Sequence, residues 1–303
     1  MIGVVAKSTG SWYEVWFENG EQIKCRLRGR FRLQKSELTN PVAVGDEVDV
    51  DLSNPEQAVI TDIKPRRNYL LRKATKASSR FHIVASNLDQ AIVLATHRSP
   101  RTSTGFIDRF LVTCRLYEIE PVILFNKMDL LTEEDQDAFD YKYLTYIDAG
   151  YTVIRTSVIE SELEADIVNL FKNKTSLLFG HSGVGKSTLL NKLIPSALQS
   201  TAKLSDQHDK GKHTTTFAQM FQGAGGSRII DTPGVKEFGL EEMEAWKLGH
   251  CFKEFEALIP NCKYNTCLHK SEPNCAVIDA FCRDEISEFR YQNYLNILED
   301  IEK

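Results

Sequence analysis

The sequence predicts a multidomain chain: an N-terminal β-barrel (OB-fold), a central α/β P-loop domain, and a C-terminal, mostly α-helical metal-binding module. Three observations carry this. Residues 1 to about 66 hold closely spaced strand patterns with turn punctuation and no helical period. From residue 67 to about 240, apolar strand-like runs alternate with amphipathic stretches around a glycine-rich loop. From about 241 to 303, helical patterns surround four crowded cysteines.

The barrel begins with the apolar-rich run of Trp12, Val15 and Phe17, followed by Asn19-Gly20, a strong hairpin turn signal. The next run, KCRLRGRFRL, alternates strictly. Lys24, Arg26, Arg28, Arg30 and Arg32 fall on one face, with Cys25, Leu27, Phe31 and Leu33 on the other. Such a basic face can track nucleic-acid phosphates. It also fits a solvated edge strand, where Lys and Arg discourage aggregation. No aromatic residue for base stacking falls obviously on it. VAVGDEVDVDL supplies a further alternating strand. The segment 64–80 has seven Lys or Arg and no acid, and reads as an exposed connector.

In the central region DQAIVLAT, PVILFNK, YTVIRTS, SLLFG and SRIIDTPG read as strands of a largely parallel sheet. GHSGVGKST, comprising Gly180, His181, Ser182, Gly183, Val184, Gly185, Lys186, Ser187 and Thr188, follows one strand and opens an apolar helix. That is the setting a P-loop requires: glycines wrap the backbone round a phosphate chain, and amides point at its oxygens. Lys186 is expected to reach the β- and γ-phosphates, and Ser187 to ligate Mg²⁺. NKMD (126–129) ends the apolar strand PVILF and favours guanine over adenine. Asp129 accepts from both the ring N1–H and the exocyclic amine, which adenine cannot supply together. Asn126 and Lys127 would orient and cover the base. Ser157, in the weak Thr-Ser match after YTVIR, is a candidate for backing it.

DTPG (231–234) places Asp231 for a water-mediated Mg²⁺ contact and the Gly234 amide for sensing the γ-phosphate. Between it and the P-loop lies GKHTTT (211–216), where Thr215 is the candidate Mg²⁺ ligand. The position after DTPG is Val235, whose apolar side chain cannot orient water, so His213 becomes the candidate hydrolytic group. A capping or solvated histidine is the other reading. The base motif precedes the phosphate loop, the reverse of the usual order, so the domain is read as a circularly permuted GTPase. Permutation is tolerated because domain ends lie close together at the surface.

Cys262, Cys267, His269 and Cys275 form C-x4-C-x-H-x5-C. Three thiolates and an imidazole close a tetrahedral Zn²⁺ shell, a structural site without catalytic water. Unrelated core cysteines are the alternative. Cys251 and Cys282 lie outside the spacing and read as core thiols.

NKMD, GHSGVGKST, GKHTTT, DTPGVKEFGL and CKYNTCLHKSEPNC together resemble the bacterial small-subunit biogenesis GTPase family RsgA, also called YjeQ or YloQ. The resemblance covers nearly the whole chain. It implies an oligonucleotide-binding barrel (1–66), a permuted GTPase domain (67–240) and a zinc-binding domain (241–303). It also implies GTP hydrolysis stimulated by the maturing small (30S) ribosomal subunit, with that subunit's rRNA as partner. Two positions depart: His181 stands where the family commonly has Gln, and Lys212 often corresponds to Arg.

The 303 residues carry 42 % apolar and 26 % charged positions and a net charge of −5. This argues against wholesale nucleic-acid coating but leaves local basic patches. No stretch approaches the roughly 20 apolar residues of a membrane span, and no secretory pattern opens the chain. A cytoplasmic monomer, with one structural Zn²⁺ and Mg²⁺ accompanying GTP, is expected. The alternative function is a nucleotide-gated RNA-binding scaffold in which hydrolysis is incidental.

Overall fold

The computed structural model describes residues 1–29, 38–54, 57–73, 81–159, 163–197, 218–232, 240 and 243–303. The chain divides into two compact units. One comprises Met1–Ala91, Val158–Phe179 and Gly185–Glu237; the other comprises Ile92–Ser157, Gly180–Val184 and Phe238–Lys303.

The first unit opens with the barrel. Strands β1 (Ile2–Ser8), β2 (Tyr13–Trp16), β3 (Gln22–Leu27), β4 (Glu47–Asp51) and β5 (Val59–Ile63) follow one another in the chain. They pair in the order β1-β2-β3-β5-β4, and β4 returns to β1 to close the ring. All pairings are antiparallel except β3–β5. The Asn19-Gly20 turn works because Gly20 takes φ +85°, which lets Phe17 and Glu21 pair across it. Val5, Val15, Cys25, Val48 and Ile60 fill the interior with no exposed surface. Each fully buried Val or Ile contributes about 1.5–3 kcal/mol.

The basic segment 64–80 is not simply a connector. Its residues Tyr69–Lys73 form β6, which pairs antiparallel with β7 (Phe81–Ser86), and Leu70 is fully buried. Arg66 is also structural. Its Nε and Nη2 each donate at 2.7 Å to the buried carboxylate of Asp46, which also accepts from Ser86 Oγ at 2.6 Å. Charge density in the sequence concealed a short strand, because pairing with β7 and the Asp46 partner are both non-local. Beyond the barrel, β12 (Gln219–Gln222) runs antiparallel to β1 and to β13 (Arg228–Asp231), and β13 runs parallel to β11 (Thr175–Phe179). Helices α3 (Ala165–Phe171) and α4 (Lys186–Leu193) are this unit's α-helices among the described residues.

In the second unit β9 (Glu120–Asn126) lies between β8 (Gln90–Thr96) and a parallel β10 (Thr152–Arg155). These strands are apolar runs because β8 and β9 are buried almost throughout. Helices α1 (Thr104–Leu116) and α2 (Gln136–Asp148) belong here. The C-terminal part consists of short 3-10 turns, then α5 (Ala276–Cys282) and α6 (Glu288–Glu302). Leu248, Phe252, Phe255, Val277, Tyr294 and Leu298 form its core, joined by Val112 of α1. Cys251 is a buried thiol as expected, whereas Cys282 is exposed: it is the last residue of α5. Among the described residues no helix is long and apolar enough to cross a membrane.

Candidate guanine-nucleotide and metal sites

The base motif sits at the end of β9. Asn126 is 2 % exposed, and its Nδ2 donates to the Val184 carbonyl of the phosphate loop at 2.8 Å. A side chain read as a base contact therefore also braces the phosphate loop. Lys127 adopts a left-handed φ of 65°, and its Nζ donates to the Ser99 carbonyl at 2.6 Å. Asp129 stands exposed, with its backbone N–H donating to Ser157 Oγ at 2.8 Å. That bond brings the weakly matched Ser157 to the motif's acidic residue. Met128 N–H adds a bond to the Thr156 carbonyl.

In the same unit lies the first half of the phosphate loop, Gly180–Val184. Gly180 has φ +146°, and a Cβ there would stand 2.5 Å from the Leu94 carbonyl oxygen, so only glycine fits. His181 stacks on Phe106 with ring centroids 3.9 Å apart and planes inclined by 29°. Val184 is fully buried, while Ser182 and Gly183 are exposed.

The second half opens α4 in the first unit. Gly185, at φ +105°, is the N-cap, and Lys186, Ser187 and Thr188 form the first turn, the helix N-terminus that a phosphate loop presents to anionic oxygens. Burial lowers the pKa of Lys186, with the charge of Asp231 opposing it. Asp231 ends β13; burial raises its carboxyl, and Lys186 pulls it back. Among the described residues, Asp231 Oδ1 and Thr232 Oγ1 are buried with no hydrogen-bond partner. Orphaned buried oxygens are costly, and a hydrated cation is what such a group lacks. The donor set thus fits Mg²⁺. His213, Thr215 and Gly234 lie outside the described residues, as do Arg30 and Arg32.

Cys262, Cys267, His269 and Cys275 converge, with all four ligand atoms within 4.8 Å of one another. Cys262 Sγ lies 3.7 Å from His269 Nδ1 and 3.9 Å from Cys275 Sγ, and His269 Nδ1 lies 3.2 Å from Cys275 Sγ. Tetrahedral zinc with bonds of about 2.0–2.3 Å sets ligand separations of roughly 3.5–3.8 Å; the observed 3.2–3.9 Å lie close enough for small side-chain shifts to close the shell. Burial lowers the pKa of His269, which keeps the imidazole neutral, and pushes the Cys275 thiol up to about 12. Buried thiols of this kind become thiolates readily only beside a cation.

The supports of this cluster were not read from the sequence. Glu272 accepts from the backbone N–H groups of Leu268, Lys270 and Ser271 at 2.7–3.0 Å, folding the ligand loop. Tyr294 and Tyr291 donate to the Leu268 and His269 carbonyls at 2.6 and 2.8 Å. Gly249 packs against the imidazole; a Cβ there would lie 2.8 Å from Nε2. The only sequence signal was an acidic residue three positions after His269.

On the barrel, Lys24 and Arg26 alternate outward with Cys25 and Leu27 inward, and Arg28 is exposed beyond the end of β3. The structure supplies the aromatic the sequence did not. The Arg26 guanidinium lies 4.3 Å from the ring centroid of Trp12, which is 39 % exposed. Lys7, Thr9, Trp12, Tyr13, Glu14 and Lys24 line an adjoining groove of about 420 Å³. Trp12 was hidden because it precedes β2 and reaches the basic face only across strands.

Family models match most of the chain: the RsgA N-terminal domain over residues 2–60 and the RsgA GTPase over 63–241. The chain belongs to the RsgA GTPase family. Small ribosomal subunit biogenesis GTPase RsgA of Flavobacterium psychrophilum is 46 % identical over 302 residues, covering 99 % of this chain and 93 % of that protein. The Phocaeicola vulgatus protein of the same name is 45 % identical over 303 residues, covering 100 % and 98 %. The crystal structure of YjeQ from Thermotoga maritima superimposes with a TM-score of 0.79 at 33 % identity, covering 99 % of this chain and 98 % of that one. YloQ, described as a circularly permuted GTPase, gives 0.76 at 30 %, covering 99 % and 94 %. Family membership makes the chain a GTP hydrolase whose motifs run in permuted order, with an N-terminal barrel and a C-terminal Cys/His cluster able to hold zinc.

Proposed function

We propose that this chain hydrolyses GTP to GDP and phosphate during late maturation of the small ribosomal subunit, and that the subunit stimulates it. The names of its relatives support the ribosomal part. The observation that carries the nucleotide part is the Asn126–Val184 bond, because it couples a guanine motif to a phosphate loop. Asn126, Lys127, Asp129 and Ser157 serve the base, and residues 180–188 the phosphates, with Lys186 supplying positive charge. Asp231, Ser187 and Thr215 would hold Mg²⁺, whose role when bound is to neutralise charge on the β- and γ-oxygens. Gly234 reports the γ-phosphate, and His213 orients the attacking water. Catalysis on this reading is mainly positioning and electrostatics.

Cys262, Cys267, His269 and Cys275 hold one structural zinc ion. Lys24, Arg26 and Arg28, with Arg30 and Arg32 further along the chain, contact rRNA beside Trp12. The functional modules are 1–66, 67–240 and 241–303, in a cytoplasmic monomer.

The test is a GTPase assay titrated with purified small subunits, large subunits and neither. A slow basal rate that rises only with small subunits is expected; equal rates in all three would refute the ribosomal reading. His213→Ala separates this from a scaffold in which hydrolysis is incidental. Release from the subunit at the normal rate in that variant would favour the scaffold.

A further inference from the structure

The C-terminal helix α6 is tied to the nucleotide motifs through α1. Arg290 of α6 is 1 % exposed, and its Nη1 donates to Oδ1 of the fully buried Asp108 of α1 at 2.5 Å. Its Nε and Nη2 donate to the Glu254 carboxylate at 2.6 and 2.9 Å. Asn293, one turn further along α6, donates to Asp108 Oδ2 at 2.6 Å, and Tyr146 OH donates to Oδ1 at 2.8 Å. Burial raises the Asp108 carboxyl above the ordinary carboxylate range, although Arg290, Asn293 and Tyr146 pull it down. For Arg290, burial works against the proton, but the carboxylates of Asp108 and Glu254 outweigh it and raise the pKa. We read the pair as ionised, because three donors converge on the Asp108 carboxylate.

The other contacts of α1 lead to the nucleotide. Two residues before Asp108, Phe106 stacks on His181 of the phosphate loop. In the segment entering α1, the Ser99 carbonyl holds Lys127, and Pro100 lies 3.6 Å from where a Cβ of Gly183 would project. One helix and its lead-in therefore touch the base motif, the phosphate loop and the C-terminal helix. Apolar side chains of similar volume would stabilise such a helix pair as well as a buried ion pair does. What directional bonds add is a fixed register between the two helices.

We propose that Asp108 and Arg290 are positioning residues for nucleotide binding. They set α1 in register with α6, so that Phe106 supports His181 in the phosphate loop. The C-terminal module thereby tunes nucleotide affinity, and a partner that shifts α6 is felt at the loop. This rests on the reading of residues 180–188 as the phosphate site.

The experiment measures the Kd of fluorescent GDP for the full chain, Asp108→Asn, Phe106→Leu and the double variant, with zinc content and circular dichroism at the same temperature. Each single change should weaken GDP roughly tenfold, within the usual range for coupled sites. The double variant should be no weaker than the worse single, because the two act in series. Zinc content should stay constant. A merely structural role would lower the melting temperature and leave the Kd of the folded protein unchanged. If Asp108→Asn does not fold, Tyr146→Phe replaces it, since it strips one bond from the same carboxylate and keeps the ion pair. Roughly twofold or greater weakening is then expected, and none in the Phe106→Leu background. A wild-type Kd in either Asp108→Asn or Tyr146→Phe, or additive losses in the double variant, would overturn the proposal alone. Failure of the wild-type chain to bind GDP would overturn the nucleotide reading with it.

Discussion

Asn126→Ala tests whether the base motif braces the phosphate loop. The substitution deletes the donor that meets the Val184 carbonyl at 2.8 Å, in a place where Asn126 is 2 % exposed and Val184 fully buried. Water does not reach the abandoned carbonyl, so the loop conformation that suits phosphates loses about 1–3 kcal/mol. At about 1.4 kcal/mol per factor of ten, GDP should bind roughly 5- to 150-fold more weakly. The same reasoning fixes what should not change. Discrimination between guanine and hypoxanthine rests on the exocyclic amine, and therefore on Asp129. The ratio of IDP to GDP dissociation constants should hold in Asn126→Ala and collapse in Asp129→Ala. Competition of both nucleotides against fluorescent GDP gives all four constants. GDP affinity within twofold of wild type in Asn126→Ala, or a lost IDP/GDP ratio there, would refute the bracing role.

Three further outcomes are expected. Cys267→Ser should reduce bound zinc, measured by atomic absorption, from one equivalent towards none. It should also lower the melting temperature, because ligand binding is coupled to folding of the 262–275 loop. Trp12→Ala should weaken single-stranded RNA by about 1–3 kcal/mol per stacked base, whereas Lys24→Ala should lower the slope of log affinity against log salt by about one; unchanged binding in both variants would remove the barrel groove from the RNA path. Burial, aided by the Arg72 charge, depresses His82 from 6.5 to about 4. A depressed histidine contributes stability fully above pH 6.5, and this is lost as the pH falls towards 4. His82→Gln should flatten that acid limb in thermal melts, and an unchanged limb would show that His82 does not titrate in the folded state.

Much of the candidate site was legible in sequence because its chemistry is local. A phosphate loop needs glycines at fixed spacing for backbone reasons, and the φ of +146° at Gly180 beside the Leu94 carbonyl shows why. The four residues of the Cys/His cluster fall within fourteen consecutive positions, so their convergence needs only one folded loop. Alternation placed Lys24 and Arg26 outward correctly, since period two survives any strand pairing. The motif order, too, is a property of the chain alone.

Tertiary structure decided whatever depended on distant partners. That Asn126 holds Val184, fifty-eight positions away, is a contact no local pattern in the chain encodes. Arg66 and Leu70 looked like parts of a solvated basic linker until Asp46 and β7 met them. The partners of Arg290 lie 36 and 182 positions back, too far for any periodicity to register. Composition and spacing encode what neighbours in the chain can do together; pairing of buried charges is set by packing, which brings together residues that the sequence holds apart.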